Sequence, residues 1–468
     1  MSTWQEGAES GYANIIDGTS DSYSLIQSAK VSLGDNAFRL DVLASLDPVI
    51  VEDNWVELDR DVDVQVGTKL FFRDSLQYAY PAQVATVQVS TDDGSTWPHV
   101  IYSISGTGEV VEQSFGQREI ELGSSFAGQQ IRIRFHYEHT GGSLFVGNLV
   151  GWFIDDIQVG LAYVPPPKTE WTIGDPSADE VLYVELINRS RANALVEAQR
   201  LAALTNSDVL AAYSDHGIDT ADIITQYQWH IANGFMANVA QPLAFNTKLL
   251  EMSQLHTNDM FDNGFQDHVS VNPASPFAPG YKLGDRINAI GYSGYAGENV
   301  FAYARSVEYA HAGFAVDWGE GINNPTYYNQ QTGQHEYNPG YNAAFDDQGM
   351  QNPAGHRLNI HNPSFNEVGI GVVNGTNGQF GPQLVTQNLG NDPGLTYICG
   401  VVYEDINGDS FYSVQNHSNT EGRSDIRIDV DGSFFYTLST SAGAYAIPVP
   451  GDGTYDVTFS GEGIATYT

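Results

Sequence analysis

Ser177-Ala178-Asp179-Glu180, followed by Val181, Leu182, Leu186 and Ile187, is the stretch that sets the organisation of this chain. A serine three residues ahead of a glutamate is a capping box, in which hydroxyl and carboxylate each satisfy a free backbone amide at a helix start. The apolar residues behind it recur at helical spacing and give the helix one buried face. Immediately upstream lies Val164-Pro165-Pro166-Pro167-Lys168. Each proline there fixes its own φ and restricts its predecessor, so the segment runs stiff and extended. Together the two stretches divide an all-β region from a mixed α+β region.

Upstream, residues 1–162 carry strand signals. Ile131, Ile133, Phe135 and Tyr137 alternate with Arg132, Arg134 and His136, the period-two pattern of a half-buried strand. Val87 and Val89 run into the turn cluster Thr91-Asp92-Asp93-Gly94-Ser95 and on to Trp97, strand, turn and strand at sandwich-like spacing. Downstream, Leu249, Leu250, Met252, Leu255, Met260 and Phe261 signal a second helix. Ile218-Asp219-Thr220-Ala221-Asp222-Ile223-Ile224 predicts a helical insertion at about residues 205–240. Strands return from residue 397, where Ile426, Ile428 and Val430 alternate with Arg427 and Asp429, and Tyr445, Ile447 and Val449 with smaller residues. The expected map is 1–162, a linker at 163–177, then 178–392 and 397–468, and 468 residues suit about three domains.

Asp and Glu number 57 against 19 Lys and Arg, a net charge of -38. That charge repels nucleic acid and anionic membrane surfaces, which excludes both as partners, and it suits an extracellular or high-salt setting. The single cysteine, Cys399, forms no internal disulfide and reads as a buried small hydrophobe in Tyr397-Ile398-Cys399-Gly400-Val401-Val402. No run approaches ~18 apolar residues, so no membrane span is expected. Met1-Ser2-Thr3-Trp4-Gln5-Glu6 shows no signal peptide. Ala465-Thr466-Tyr467-Thr468 breaks off inside a strand-like pattern, so the chain reads as a fragment with a truncated last module.

Val89-Ser90-Thr91-Asp92-Asp93-Gly94-Ser95-Thr96-Trp97 and Gly151-Trp152-Phe153-Ile154-Asp155-Asp156-Ile157-Gln158-Val159 resemble the MAM-like jelly-roll modules of bacterial secreted proteins. The resemblance implies a β-sandwich accessory unit for adhesion or carbohydrate contact, often with a calcium ion. Asp155 and Asp156 are candidate metal ligands, with loop formation as the alternative reading of the same pair.

A second resemblance covers roughly residues 178–390. Its pieces, in order, are Phe265-Gln266-Asp267-His268, Asp285-Arg286-Ile287, Gly291-Tyr292-Ser293-Gly294-Tyr295-Ala296-Gly297-Glu298-Asn299-Val300, Ala315-Val316-Asp317-Trp318, Gly355-His356-Arg357-Leu358-Asn359-Ile360 and Glu367-Val368-Gly369-Ile370-Gly371. Jointly they resemble the bacterial branch of the CAP (SCP-like) superfamily. That implies an α-β-α sandwich whose cleft carries two histidines and two acidic residues: His268, Glu298, His356 and, as fourth, Glu320. The family spaces its Trp and Glu three apart, whereas Trp318-Gly319-Glu320 sets them two apart, so Asp317 competes with Glu320. An Asn/Tyr/Gly-rich insertion before His356, with Tyr327, Tyr328, Tyr337 and Tyr341, would roof or narrow the cleft.

Taken without the family, the same residues keep several chemistries open. Two imidazoles, His268 and His356, suit a divalent transition metal, typically Zn²⁺, while a carboxylate positions water. Alternatively a His–Glu pair serves as general base and orienting group. A nucleophilic variant needs a hydroxyl, and Ser270 is the sequence-local candidate. His256, on the apolar helix, reads as a hydrogen-bonded bystander.

Asp405-Ile406-Asn407-Gly408-Asp409-Ser410-Phe411-Tyr412-Ser413 sets oxygen ligands at alternate positions around a glycine, as a Ca²⁺ loop requires. Asp405, Asn407 and Asp409 would bind through side chains and Phe411 through its carbonyl, with Glu421 a further ligand across an insertion. An acidic turn is the competing reading. With the strand Ile398-Cys399-Gly400-Val401-Val402-Tyr403 the segment resembles the B-type repeats of bacterial surface adhesins, which implies a small Greek-key β-sandwich.

The leading expectation is a secreted, extracellular or surface-bound modular protein. Its CAP-type cleft binds a small-molecule, lipid or glycan ligand, and its β-modules attach it to cell-surface or matrix carbohydrate. Two other readings stay open: a metal-dependent or His/Glu-assisted extracellular hydrolase, and a structural adhesion protein with a vestigial cleft.

Overall fold

The computed structural model describes residues 4–19, 24–32, 36–41, 52–108, 115–140, 145, 147, 149–164, 167–272, 276–319, 323–329, 334–392, 394–415, 417, 419–461 and 463. The chain divides into two compact units, Met1–Pro167 and Lys168–Thr468. Among the described residues no helix is long and apolar enough to cross a membrane.

Alternation builds the first unit. Its main strands are β1 (Glu52–Leu58), β2 (Lys69–Gln77), β3 (Gln83–Ser90), β4 (His99–Ser105), β5 (Gln130–His139) and β6 (Gly151–Gly160). One sheet runs Gly116–Glu121, β2, β6, Ala37–Leu40, Ile26–Gln27; the other runs Ile15–Asp17, β1, β5, β3, β4. Ile131, Ile133, Phe135 and Tyr137 of β5 turn inward and meet Phe72, Trp152 and Ile154 of the opposite sheet in one apolar core. The expected sandwich follows from that one-sided burial.

The second unit opens on the expected capping box. The Glu180 amide donates to Ser177 Oγ at 3.4 Å and the Ser177 amide to Glu180 Oε2 at 2.7 Å, starting α1 (Ala178–Ala192). After α2 (Ala194–Ala202), α3 (Ser207–His216) and α4 (Thr220–Ala232) come α5 (Thr247–Asn263), α6 (Leu283–Ile290), β7 (Tyr295–Ala304), α7 (Val307–Val316), α8 (Gly355–Ile360), β8 (Glu367–Asn374) and β9 (Gln383–Asn391). The sheet order is Ala244–Phe245, β8, β9, β7. Gly369 and Gly371 of β8 let α5 lie directly on the sheet: a Cβ at Gly369 would sit 2.0 Å from the Leu249 carbonyl carbon. Val368 and Ile370 face the other way, into a core with Val181, Val184 and Ile187 of α1 and Phe314 of α7. The result is the three-layer α-β-α sandwich. Helices α3 and α4, in the expected insertion, pack with Tyr309, Trp318 and Met350 in a separate cluster.

Two features differ from the sequence map. The C-terminal strands do not close a core wholly their own. Val430, Ile447 and Val449 make a small cluster, but Tyr412, Ala442, Ala444 and Ala446 join the core of the α-β-α sandwich. Small alanines on that face allow the close approach. The second half of the linker is also folded. Thr169–Glu170 pairs in parallel with Phe435–Leu438, and Trp171 packs against Tyr397 and Phe435. Pro165 and Pro166 lie outside the described residues. Cys399 is half-buried in the same region, and burial pushes its thiol pKa up to about 12.

Candidate functional site

The first pair of the site begins where α5 ends. Gly264 takes the left-handed conformation (φ 63°) that terminates the helix and sends the chain across edge strand β7. Gln266 Oε1 accepts the Ala302 amide at 2.7 Å. Two residues on, His268 Nδ1 lies 2.9 Å from Glu298 Oε1. The His268 side chain is 54% exposed and that of Glu298 1%. Behind them stands Arg286, fully buried, which donates to Glu298 Oε2, to the His268 carbonyl at 2.8 Å and to Ser270 Oγ at 3.3 Å. Burial would raise the Glu298 pKa, but His268 and Arg286 outweigh it and hold it below the usual carboxylate range.

The second pair is made at a helix end. Asp317 follows α7 in the left-handed conformation (φ 62°). Its carboxylate accepts the His356 amide at 3.0 Å and lies 2.6 Å from His356 Nδ1. Asp317 is fully buried and His356 24% exposed. Arg357, also buried, caps the last α7 carbonyls, donating to Ala315 and Val316. Burial alone would lower the His356 pKa; the charge and hydrogen bond of Asp317 overcome it and raise it above the ordinary imidazole value.

Neighbouring residues of β7 join the pairs. Asn299 Nδ2 donates to the His356 carbonyl and Asn359 Nδ2 to the Glu298 carbonyl, both at 3.4 Å. Among the described residues neither His268 nor His356 has a hydrogen-bond partner at Nε2.

Residues 236–389 match the model of the cysteine-rich secretory protein family, CAP. This part of the chain is a CAP domain. No curated protein matches the chain. Among solved structures, the K3 and K1 cleaved adhesin domains of Lys-gingipain from Porphyromonas gingivalis W83 cover 34% and 35% of this chain and 97% and 100% of their own. Their identities are 15% and 18% and their TM-scores 0.25 and 0.26. A family 35 carbohydrate-binding module from Clostridium thermocellum covers 35% of this chain and 100% of its own, at 13% identity and a TM-score of 0.20.

Within the CAP domain, His268, Glu298 and His356 occupy adjoining positions, and the carboxylate on His356 is Asp317. Glu320 lies outside the described residues. Ser270 is buried under Arg286, and His256 Nε2 donates to the Asp267 carbonyl, 2.9 Å away, inside the fold. The sequence reading assigned no role to Arg286 or Arg357, although both stand in the quoted motifs. An arginine beside apolar neighbours was the available signal.

Elsewhere, Asp155 and Asp156 are fully buried at a bulge in β6. Asp156 accepts from Gln158, Gln5 and Tyr163, and Asp155 from the Ser32 amide. In the loop at 405–413, Asp405 accepts the amides of Gly408, Asp409 and Ser410, and Asp409 that of Phe411. Glu421 reaches the same loop, accepting the amides of Ile406 and Ser413, each at 3.0 Å. Among the described residues no three His, Cys, Asp or Glu side chains stand together as a metal-ligand set.

Proposed function

We propose that this is a modular binding protein acting outside the cell or at its surface. The CAP domain takes a small ligand, by class a small molecule, lipid or glycan, between the two histidine–carboxylate pairs, while the β-modules provide attachment to carbohydrate. One observation carries the reading of the cleft: both imidazoles turn Nδ1 to a buried carboxylate and leave Nε2 unpartnered. A carboxylate behind Nδ1 fixes ring and tautomer and makes Nε2 the better acceptor or metal donor. Zn²⁺ or another divalent ion would be held by His268 and His356 and would supply Lewis acidity there. Of the hydrolase reading only the nucleophilic variant loses support, since its sequence-local hydroxyl, Ser270, is buried.

For the C-terminal loop we propose Ca²⁺, bound by Asp405, Asn407 and Asp409 with the Phe411 carbonyl. The carboxylate oxygens that accept amides there keep further lone pairs for a cation. Native mass spectrometry of the full chain, with metal analysis of the same sample, tests the cleft. A bound species present in wild type and absent from His268→Ala and His356→Ala supports the reading; the same species in all three contradicts it. For the loop, chelation should lower the Tm of wild type but not of Asp405→Ala; equal sensitivity in both removes the calcium assignment.

A further inference from the structure

The solvent face of the second sheet of the first unit carries an array that its core does not need. The Arg134 guanidinium, on β5, lies 4.6 Å from the ring centroid of Trp97 and 5.8 Å from that of Trp55. Trp55 is fixed from behind by Gly18, where any Cβ would fall 2.0 Å from the indole. Arg134 Nε donates to Gln88 Oε1 at 2.8 Å. Gln88 Nε2 passes the connection to Thr86 Oγ1 at 3.2 Å and lies 3.3 Å from His136 Nδ1; His136 Nε2 meets Asp53. A continuous polar ladder thus crosses β1, β5 and β3, with two indoles at one end.

The arginine at the centre is under-used. Its neighbour Arg132 pairs with Glu57 at 2.8 Å, whereas among the described residues Arg134 has no ion pair and no acceptor at either Nη. Burial lowers its pKa, and the more distant charges of Asp53 and Glu57 only partly offset that. A stacked guanidinium with idle donors beside half-exposed Trp97 is a preorganised recognition group, and its aromatic neighbours fix its plane.

We propose that this face binds a neutral glycan, with a sugar ring stacked on Trp97 and hydroxyls bonded to the Arg134 Nη groups and the Gln88 ladder. Neutrality follows from charge: the chain carries -38, and Asp59, Asp61 and Asp93 lie within 3.4–3.9 Å of Arg132 at the edge of the array. An anionic chain would be repelled. The inference rests on the reading that the β-module attaches to carbohydrate, and it names the surface and the class.

The test is affinity electrophoresis of the full chain through gels holding soluble xylan, β-1,4-galactan or mixed-linkage β-glucan, with polygalacturonate as the anionic arm. At least one neutral polysaccharide should retard wild type. Trp97→Ala and Arg134→Gln should each weaken that retardation about fivefold or more, as loss of an aromatic contact or of several donors predicts. Trp97→Phe should keep most of it, with unchanged melting showing that the variants fold. Retardation undiminished in both weakening variants overturns this site and leaves the attachment reading standing. Loss on His268→Ala instead moves glycan binding to the cleft. Retardation by polygalacturonate alone overturns neutrality, and no retardation in any gel overturns both readings.

Discussion

The two histidine–carboxylate pairs of the CAP domain share a local geometry and differ in what stands behind it. Glu298 has two partners in reach, the His268 imidazole and the buried guanidinium of Arg286. Asp317 has His356, while the arginine nearby, Arg357, gives its hydrogen bonds to helix carbonyls. In the first pair an arginine balances the buried carboxylate whatever the imidazole does. In the second, His356 is the one basic side chain that Asp317 bonds among the described residues, and the charge of Asp317 is why that imidazole's pKa is raised. Two pairs with the same local geometry therefore place different demands on their histidines.

The largest effect should come from breaking the first pair. Glu298→Ala strands Arg286 as a buried, unbalanced charge and should cost about 3–5 kcal/mol in denaturant unfolding. A loss as small as that of a surface substitution would mean Arg286 is not balanced by Glu298.

Next is Asp317→Asn, which keeps the shape and removes the charge. It should cost about 1–3 kcal/mol and drop the His356 pKa below its wild-type value, followed by NMR. A His356 pKa that stays raised would show that another group is the counter-ion.

Smallest is the pH dependence, and the pairs should give opposite signs. His356 is raised in the fold, so its contribution is complete below the unfolded value of about 6.5 and is lost as pH rises through the folded value. Glu298 is lowered, so its contribution is complete above about 4.3 and is lost as pH falls through the folded value. The stability deficit of Asp317→Asn should therefore shrink above neutrality, and that of Glu298→Ala should shrink in acid. Deficits constant with pH would remove the distinction.

Much of this was legible in sequence because it is local. The capping box at Ser177 and Glu180 started its helix, the alternation at 131–137 gave the buried strand, and the quoted motifs carried His268, Glu298 and His356. What was not legible depends on chain returning from far away. The partner of His356 is decided by the left-handed turn at Asp317 and by the Gln351 amide closing on the Asp317 carbonyl at 2.8 Å across the whole insertion. No spacing rule encodes that return. The roles of Arg286 and Arg357 depend on complete burial, and the shared core of the C-terminal strands depends on alanines that signal nothing by themselves.

The central claim is that His268 and His356 present their Nε2 atoms to one site. Titrating the full chain with Zn²⁺ while following the ¹⁵N imidazole signals of both histidines tests it most directly. The account predicts that both Nε2 resonances shift together and saturate at the same molar ratio, and that His268→Ala abolishes the response of His356. Independent shifts, or an unaltered His356 response in that variant, would contradict it.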